Sequence, residues 1–301
     1  MNVKKFFLSL IITVLTIAIV FGGFTVGRFF TSINTGTPDS DSVFDPPERN
    51  KMNILLMGLD EGKSRADTIM LVCLDKKAKT TKIISIPRDT RVTVNGRSIK
   101  INSTMGYKSR EELMVKKVKE LTGIPINYYA AVDFDGFIEI VDILGGVDYD
   151  VPFDMNYDDP YQGLSIHLKK GMQHLDGQAA HDYVRFRQNN YGTPPGNYAL
   201  GDPGRIEAQQ AFLKEFVRQK LKLRYIIRAP FLANSISKYL ETNVDISKAL
   251  GYIGTARKAL KNGFQTYILP GEPQMIGGGS YYICHTKKTK ELVAQEFGYI
   301  E

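Results

Sequence analysis

NILLMGL (residues 53–59), TIMLVCLD (68–75) and TKIISIP (81–87) are short, apolar, β-branched runs, and their reading decides the fold. A strand with one wet face alternates apolar with polar. These runs hardly alternate, so they read as strands of a sheet covered on both faces. A set of charged residues lies at the ends of these runs. Asp60 follows the first run, Arg65 and Asp67 lie in SRADT before the second, and Arg88 and Asp89 lie in SIPRDT after the third. Lys100 sits further on in KIN.

Downstream, REELMVKKVKELTG (110–123) carries Leu113, Val115, Val118 and Leu121 at helical spacing and stops on Gly123, a helix with a glycine end. NYYAAVDF (127–134) reads as a strand and DGFIEIVDILGG (135–146) as an N-capped apolar helix ending on a glycine pair. DGQAAHDYVRF, GRIEAQQAFLKEFVRQKL and DISKALGYIGTARKALKNG read as helices, and FQTYIL as a strand. Alternating strands and helices predict an α/β fold, a single layered α/β/α domain around a mostly central mixed sheet. No repeat or shift in composition divides residues 51–301, which are taken as that one domain.

The N-terminus differs from the rest. Residues 6–26, FFLSLIITVLTIAIVFGGFTV, carry no charge over 21 positions, close to the ~20 that cross a bilayer as a helix. The run is longer than the apolar core of a cleaved signal and no A-x-A site follows, so it predicts one transmembrane helix. Lys4 and Lys5 precede it and Arg28 follows, which places residues 1–5 in the cytoplasm and the domain outside the cell membrane. Residues 27–50 form a linker rich in Ser, Thr, Asp and Pro. The net charge of +7 suits an anionic membrane face or a phosphate-bearing substrate, since an exported domain does not meet nucleic acid.

Two cysteines, Cys73 and Cys284, make no disulfide framework and are expected buried and unpaired. His167, His174 and His181 fall seven apart, but Gly171 and Gly177 interrupt any helix that would align them, and zinc ligation gains no support. The phosphate loop, the dinucleotide fingerprint and the nucleophile elbow are all absent from the sequence.

What remains is a set of arginines and acids at the ends of elements. DYVRFRQNNYGTPPGNYALGDPGRIEAQQ (182–210) adds Arg185, Arg187, Asp202, Arg205, Gln209 and Gln210. Arg185 and Arg187 point the same way only if the helix loosens there. Guanidinium binds phosphate bidentately and keeps its charge, and Mg²⁺ is held by one or two carboxylates plus substrate phosphates. Surface ion pairs explain any one of these residues equally well. Together they read as metal-assisted binding of a phosphate or pyrophosphate compound.

In order along the chain, NILLMGLDEGKSRADTIMLVCLD, KIISIPRDTRV, KIN, AVDFDGFIEIVDILGGVDYDVP, HLKKGMQHLDGQAAHDYVRFR and GDPGRIEAQQ resemble the LytR-CpsA-Psr family over residues 52–220. The resemblance implies a membrane-anchored phosphotransferase of the bacterial envelope, chiefly Gram-positive. Such an enzyme moves a glycopolymer, such as teichoic acid or capsule, from a polyprenyl pyrophosphate carrier to a peptidoglycan sugar hydroxyl, forming a phosphodiester. It implies Asp60 and Asp67 as ligands of Mg²⁺ or Mn²⁺, and Arg65, Arg88, Lys100, Arg185, Arg187, Arg205 and Gln209 as the pyrophosphate site. Asp67, Arg88, Arg185 and Arg187 would carry the catalysis, with Asp89 and Asp202 orienting arginines. Asp67 would also take the acceptor's proton.

Ala208 stands where the family often has Arg, and NNYGTPPGNYAL looks longer than usual, a change that bears on glycopolymer choice. FIEIVDIL and YYAAV would line a groove for the lipid, although core packing accounts for them as well. On this reading, Arg88→Ala or Arg185→Ala should abolish transfer and leave the melt unchanged. Three other functions stay open: a non-catalytic polyprenyl-phosphate and glycan-binding regulator, a polyprenyl pyrophosphate hydrolase, and a purely structural envelope domain.

Overall fold

The computed structural model describes residues 42–48, 50–160, 163–186, 188–191, 211–212, 215–216, 218–220, 232, 235–244 and 264–299. The apolar run 6–26, most of the linker, Arg187, Asp202, Arg205, Ala208 and Gln209 lie outside the described residues.

The three apolar runs are adjacent strands: β1 (Lys51–Leu59), β2 (Ala66–Asp75) and β3 (Thr80–Ser85). They belong to a six-stranded sheet with β6 (Tyr128–Val132), β11 (Glu241–Thr242) and β12 (Phe264–Ile268), in the order β11-β6-β1-β2-β3-β12. β6 runs parallel to β1 and β12 parallel to β3, while the other three pairs are antiparallel, so the sheet is mixed.

Successive side chains of a strand point to opposite faces, and here both faces are buried. Met52, Ile54 and Leu56 join one core cluster with Met70, Val72 and Ile83. Leu55, Met57 and Leu59 join another with Ile69, Leu71 and Ile84. Helix α1 (Arg110–Thr122) and the 293–297 turn, through Val293 and Phe297, cover the second face. Helices α2 (Phe134–Ile143) and α3 (Gly177–Arg185) cover the first. The buried side of α1 is Met114, Val115 and Val118, with Leu113 and Leu121 only half-buried. Val115 and Val118 are buried as expected, Leu121 packs against the core from its edge, and Met114 takes the central place expected of Leu113.

The apolar helix α2 is capped by Asp133, whose side chain accepts a hydrogen bond from the Gly136 N–H at 2.8 Å. Its DG pair therefore lies inside the first turn, and β6 stops at Val132. Phe137, Ile140, Val141, Ala130 and Val132 are core residues rather than a groove lining. Three hairpins and one further strand pair escaped the sequence reading. β4 (Arg91–Val94) and β5 (Arg97–Lys100) turn through Asn95 and Gly96 with φ of 49° and 75°, a pair of left-handed residues suited to a two-residue hairpin. β7 (Val147–Val151) pairs with β10 (Gly171–Leu175), β8 (Met155–Asp159) with β9 (Leu164–Leu168), and β13 (Gly271–Ile276) with β14 (Gly279–Cys284).

His167 stands on β9, His174 on β10 and His181 on α3. Both cysteines are free thiols and half-buried rather than buried. Helix α4 (Thr286–Leu292) leads into the 293–297 turn, and Lys82 of β3 holds that turn through Glu296 at 3.0 Å.

Helices α2 and α3 meet at Gly177, whose N–H donates to Asp142 Oδ1 at 2.6 Å. A Cβ there would run into the Ile138 carbonyl oxygen and carbon, which are backbone atoms that cannot swing aside. Gly177→Ala should therefore destabilise the domain by about 1–3 kcal/mol. A thermal melt equal to the wild type's would show that the helices separate at no cost.

Candidate active site

The topology gathers the charged residues at one edge of the sheet. β1, β3 and β6 point the same way, so Asp60, Arg88 and Asp133 all follow their carboxyl ends. β2 and β11 run opposite, which brings Asp67 and Glu241 to that edge from their amino ends. Loops at carboxyl ends of strands are where open α/β sheets hold ligands.

Asp60 and Asp67 flank the β1–β2 loop. Asp60 Oδ1 accepts the Ser64 and Arg65 N–H groups at 2.8 and 3.0 Å, and the Asp60 N–H donates to the Arg65 carbonyl at 3.0 Å. The loop is thus wound around one carboxylate. Asp67 sits at a bulge. Gly58 pairs with Thr68 and the next residue, Leu59, pairs with Ala66, so the ladder skips Asp67. A bulge re-aims a side chain, and this one is 8 % exposed. Its Oδ1 accepts from Arg88 Nη1 at 2.7 Å. Arg88 lies in the loop after β3, so the pair ties the mouth of the β1–β2 hairpin to that loop.

Asp89 was expected to orient arginines. Its carboxylate is 4.0 Å from Arg88 Nε but 3.2 Å from Lys100 Nζ, so it chiefly holds the lysine. Lys100 Nζ also lies 5.8 Å from the centre of the Tyr281 ring. Helix α3 ends on Arg185, and Phe186 turns to extended backbone at ψ 137°. The helix stops where the arginine pair required it to loosen. Arg185 stacks on Phe134 at 4.5 Å. Burial pushes its guanidinium below the ordinary value, while Asp182, Asp67, Glu61 and Asp159 pull the other way. An arginine keeps its charge regardless, so this one is a half-buried cation in the field of several carboxylates. Arg65 is exposed. Beyond α3, Asn189 and Asn190 accept from the Asn156 and Asp158 N–H groups of β8 at 2.8 and 3.1 Å, laying the start of the long segment along that strand.

Four further residues were missed by the sequence reading. Lys63 in the β1–β2 loop pairs with Asp133 at 2.9 Å and Glu241 at 3.1 Å, and Arg110 pairs with Glu241 at 2.6 Å. Burial alone would raise Asp133, but the hydrogen bonds from Lys63 and the Gly136 N–H outweigh it and hold the carboxyl below its ordinary range. The N-cap position of Asp133 was the one sequence signal available. Among the described residues no group of three or more His, Cys, Asp or Glu gathers to hold a metal. Asp60 and Asp67 offer two hard carboxylates at one hairpin mouth, a donor set that fits Mg²⁺ completed by phosphate oxygens and water.

The family model LytR_cpsA_psr matches residues 30–297. The polyisoprenyl-teichoic acid–peptidoglycan teichoic acid transferase TagV of Bacillus subtilis is 30% identical over 306 residues, covering 93% of this chain and 74% of that protein. Biofilm regulatory protein A of Streptococcus mutans is 28% identical, covering 95% and 74%. The crystal structure of B. subtilis TagV superposes with a TM-score of 0.67 at 29% identity, over 84% of this chain and all of that one.

Removing Arg88 would leave the nearly buried Asp67 carboxylate without its 2.7 Å partner. Arg88→Ala should therefore cost about 1–3 kcal/mol of stability, contrary to the unchanged melt expected from sequence. A wild-type denaturant midpoint in Arg88→Ala would mean the pair does not hold the edge together.

Proposed function

The chain belongs to the LytR-CpsA-Psr family, and from that premise we propose that it is a phosphotransferase joining an anionic glycopolymer to peptidoglycan. The donor is a polyprenyl pyrophosphate-linked glycopolymer and the acceptor a peptidoglycan sugar hydroxyl. The observation that carries this reading is the Arg88–Asp67 pair at the carboxyl edge of the sheet, with the half-buried Arg185 stacked on Phe134, which follows Asp133 at that same edge. The names of the relatives supply the chemistry: polyisoprenyl-linked teichoic acid as donor and peptidoglycan as acceptor.

In the reaction the acceptor hydroxyl oxygen bonds to the phosphorus that carries the glycopolymer. The bond from that phosphorus to the bridging oxygen breaks, and polyprenyl phosphate leaves with the electron pair. Charge spreads over the phosphoryl oxygens in a loose transition state, so positioning and electrostatic stabilisation do most of the work. Arg88 and Arg185 supply fixed positive charge, joined in our reading by Arg65, Arg187, Arg205, Lys100 and Gln209. Asp89 and Asp202 support them. Asp67, held by Arg88 at 2.7 Å, takes the proton of the acceptor hydroxyl in a transition state that asks little of the nucleophile. Mg²⁺ or Mn²⁺ on Asp60 and Asp67 would add positive charge beside the phosphates.

The uncharged run 6–26 is our proposed anchor, with residues 1–5 in the cytoplasm and residues 51–301 outside the membrane. A peptidoglycan acceptor and a lipid-borne donor both belong on that side. The name of the S. mutans relative favours a second reading, a regulator that binds the carrier without turnover.

Both readings meet in one experiment. The full-length chain in detergent is mixed with a short-chain polyprenyl pyrophosphate saccharide, peptidoglycan oligomers and Mg²⁺, and products are read by mass spectrometry. The expected product is a metal-dependent phosphodiester conjugate, and Arg185→Ala should lower its rate by about 10²–10³-fold. Free saccharide phosphate in place of conjugate would mean a hydrolase, and intact donor bound to the protein would mean the regulator.

A further inference from the structure

Lys63 has a positive φ of 52°, a conformation that costs a non-glycine residue energy and persists only where the surroundings impose it. Three elements do so here. Its side chain is 43 % exposed, yet the ammonium lies between Asp133 Oδ2, at the start of α2, and Glu241 Oε1, on β11, at 2.9 and 3.1 Å. Arg110, at the start of α1, donates to the Lys63 carbonyl at 3.1 Å and to Glu241 Oε2 at 2.6 Å. The contacts close a ring: Lys63 ammonium, Glu241, Arg110, Lys63 carbonyl. The two carboxylates hold the ammonium, and its proton with it, by raising the pKa of Lys63.

An isolated exposed ion pair contributes little to stability. A closed ring around one residue of a six-residue loop does something else, because it fixes where the loop sits. The same loop begins at Asp60 and ends at the Asp67 bulge. The residue after Asp133 is Phe134, on which Arg185 stacks at 4.5 Å. The dipeptide Asp133–Phe134 therefore holds the acid-bearing loop on one side and the desolvated arginine on the other.

We propose that Lys63, Asp133, Glu241 and Arg110 form a positioning clamp that sets Asp60 and Asp67 at a fixed separation from Arg185. The inference rests on the reading of this edge as the metal and pyrophosphate site. None of the four touches the reacting atoms; they act through the residues they hold. Second-layer contacts of this kind typically tune metal affinity about 10–100-fold.

The test uses the full-length chain, Lys63→Met, Lys63→Arg and Glu241→Gln, with two readouts: Mn²⁺ binding by electron paramagnetic resonance, and transfer kinetics. Lys63→Met should weaken Mn²⁺ binding about tenfold and lower kcat with little change in the donor KM. Glu241→Gln should move the same way, and Lys63→Arg should restore both. Each variant should melt within a few degrees of the wild type. Mn²⁺ binding and kcat in Lys63→Met equal to the wild type's would overturn the clamp, as would a wild-type chain that binds no Mn²⁺. A wild type that binds Mn²⁺ but transfers nothing, with the difference in affinity intact, would overturn the function reading and leave the clamp standing.

Discussion

β1 and β2 run side by side through the middle of the sheet, and both of their faces are buried. Along most of their length there is no place for a charge, because an unpaired ion in that interior would cost several kcal/mol. Polar groups can enter only where the strands end. The β1–β2 loop, the turn after β3, the start of α2 and the first residue of β11 all meet at one such end. The site is thus a consequence of the double burial as much as of the residues that form it.

At that edge the electrostatics are arranged in pairs. Arg88 is matched to Asp67, Lys100 to Asp89, and Lys63 to Asp133 and Glu241. Arg185 is half-buried and stacks on the Phe134 ring, and burial works against its charge. A cation in that state gains from the arrival of an anion. Phosphoryl transfer is the chemistry that such a preorganised field serves best, because its barrier is lowered by fixed charge more than by covalent participation. The Asp67 bulge adds a geometric device. By skipping one rung, the ladder turns a carboxylate that strict alternation would have aimed elsewhere toward the arginine after β3.

Much of the fold was legible because burial leaves a periodic trace. Three uninterrupted apolar runs announced a sheet covered on both sides, and Gly123 marked the end of α1, where it adopts φ 68°. The hairpins were passed over although VTVNGRSI carries an Asn-Gly turn between alternating residues. The start of α2 was set two residues late because two aspartates compete for the cap in DFDG, and only the hydrogen bond to Gly136 separates them. On α1 the expected Val115 and Val118 are buried, but Met114 rather than Leu113 joins them, because both are apolar and only the packing against the sheet chooses between them.

The sequence by itself determined the central strands, the end of α1, and the residue types at the site: acids and guanidinium groups at the ends of elements. Those features are local, and local features follow from propensity and periodicity. Tertiary structure alone decided the partners. Arg88 meets Asp67 across 21 residues, Lys63 meets Glu241 across 178 and Arg110 meets Glu241 across 131. The first depends on β3 lying beside β2, and the two to Glu241 on β6 lying beside β1 and β11 closing the outside of the sheet. Hydrophobic patterning reports whether a strand is buried but carries no record of which strand lies next to it. The neighbour is selected by how two faces of apolar side chains pack at once, and that selection fixes which charges meet.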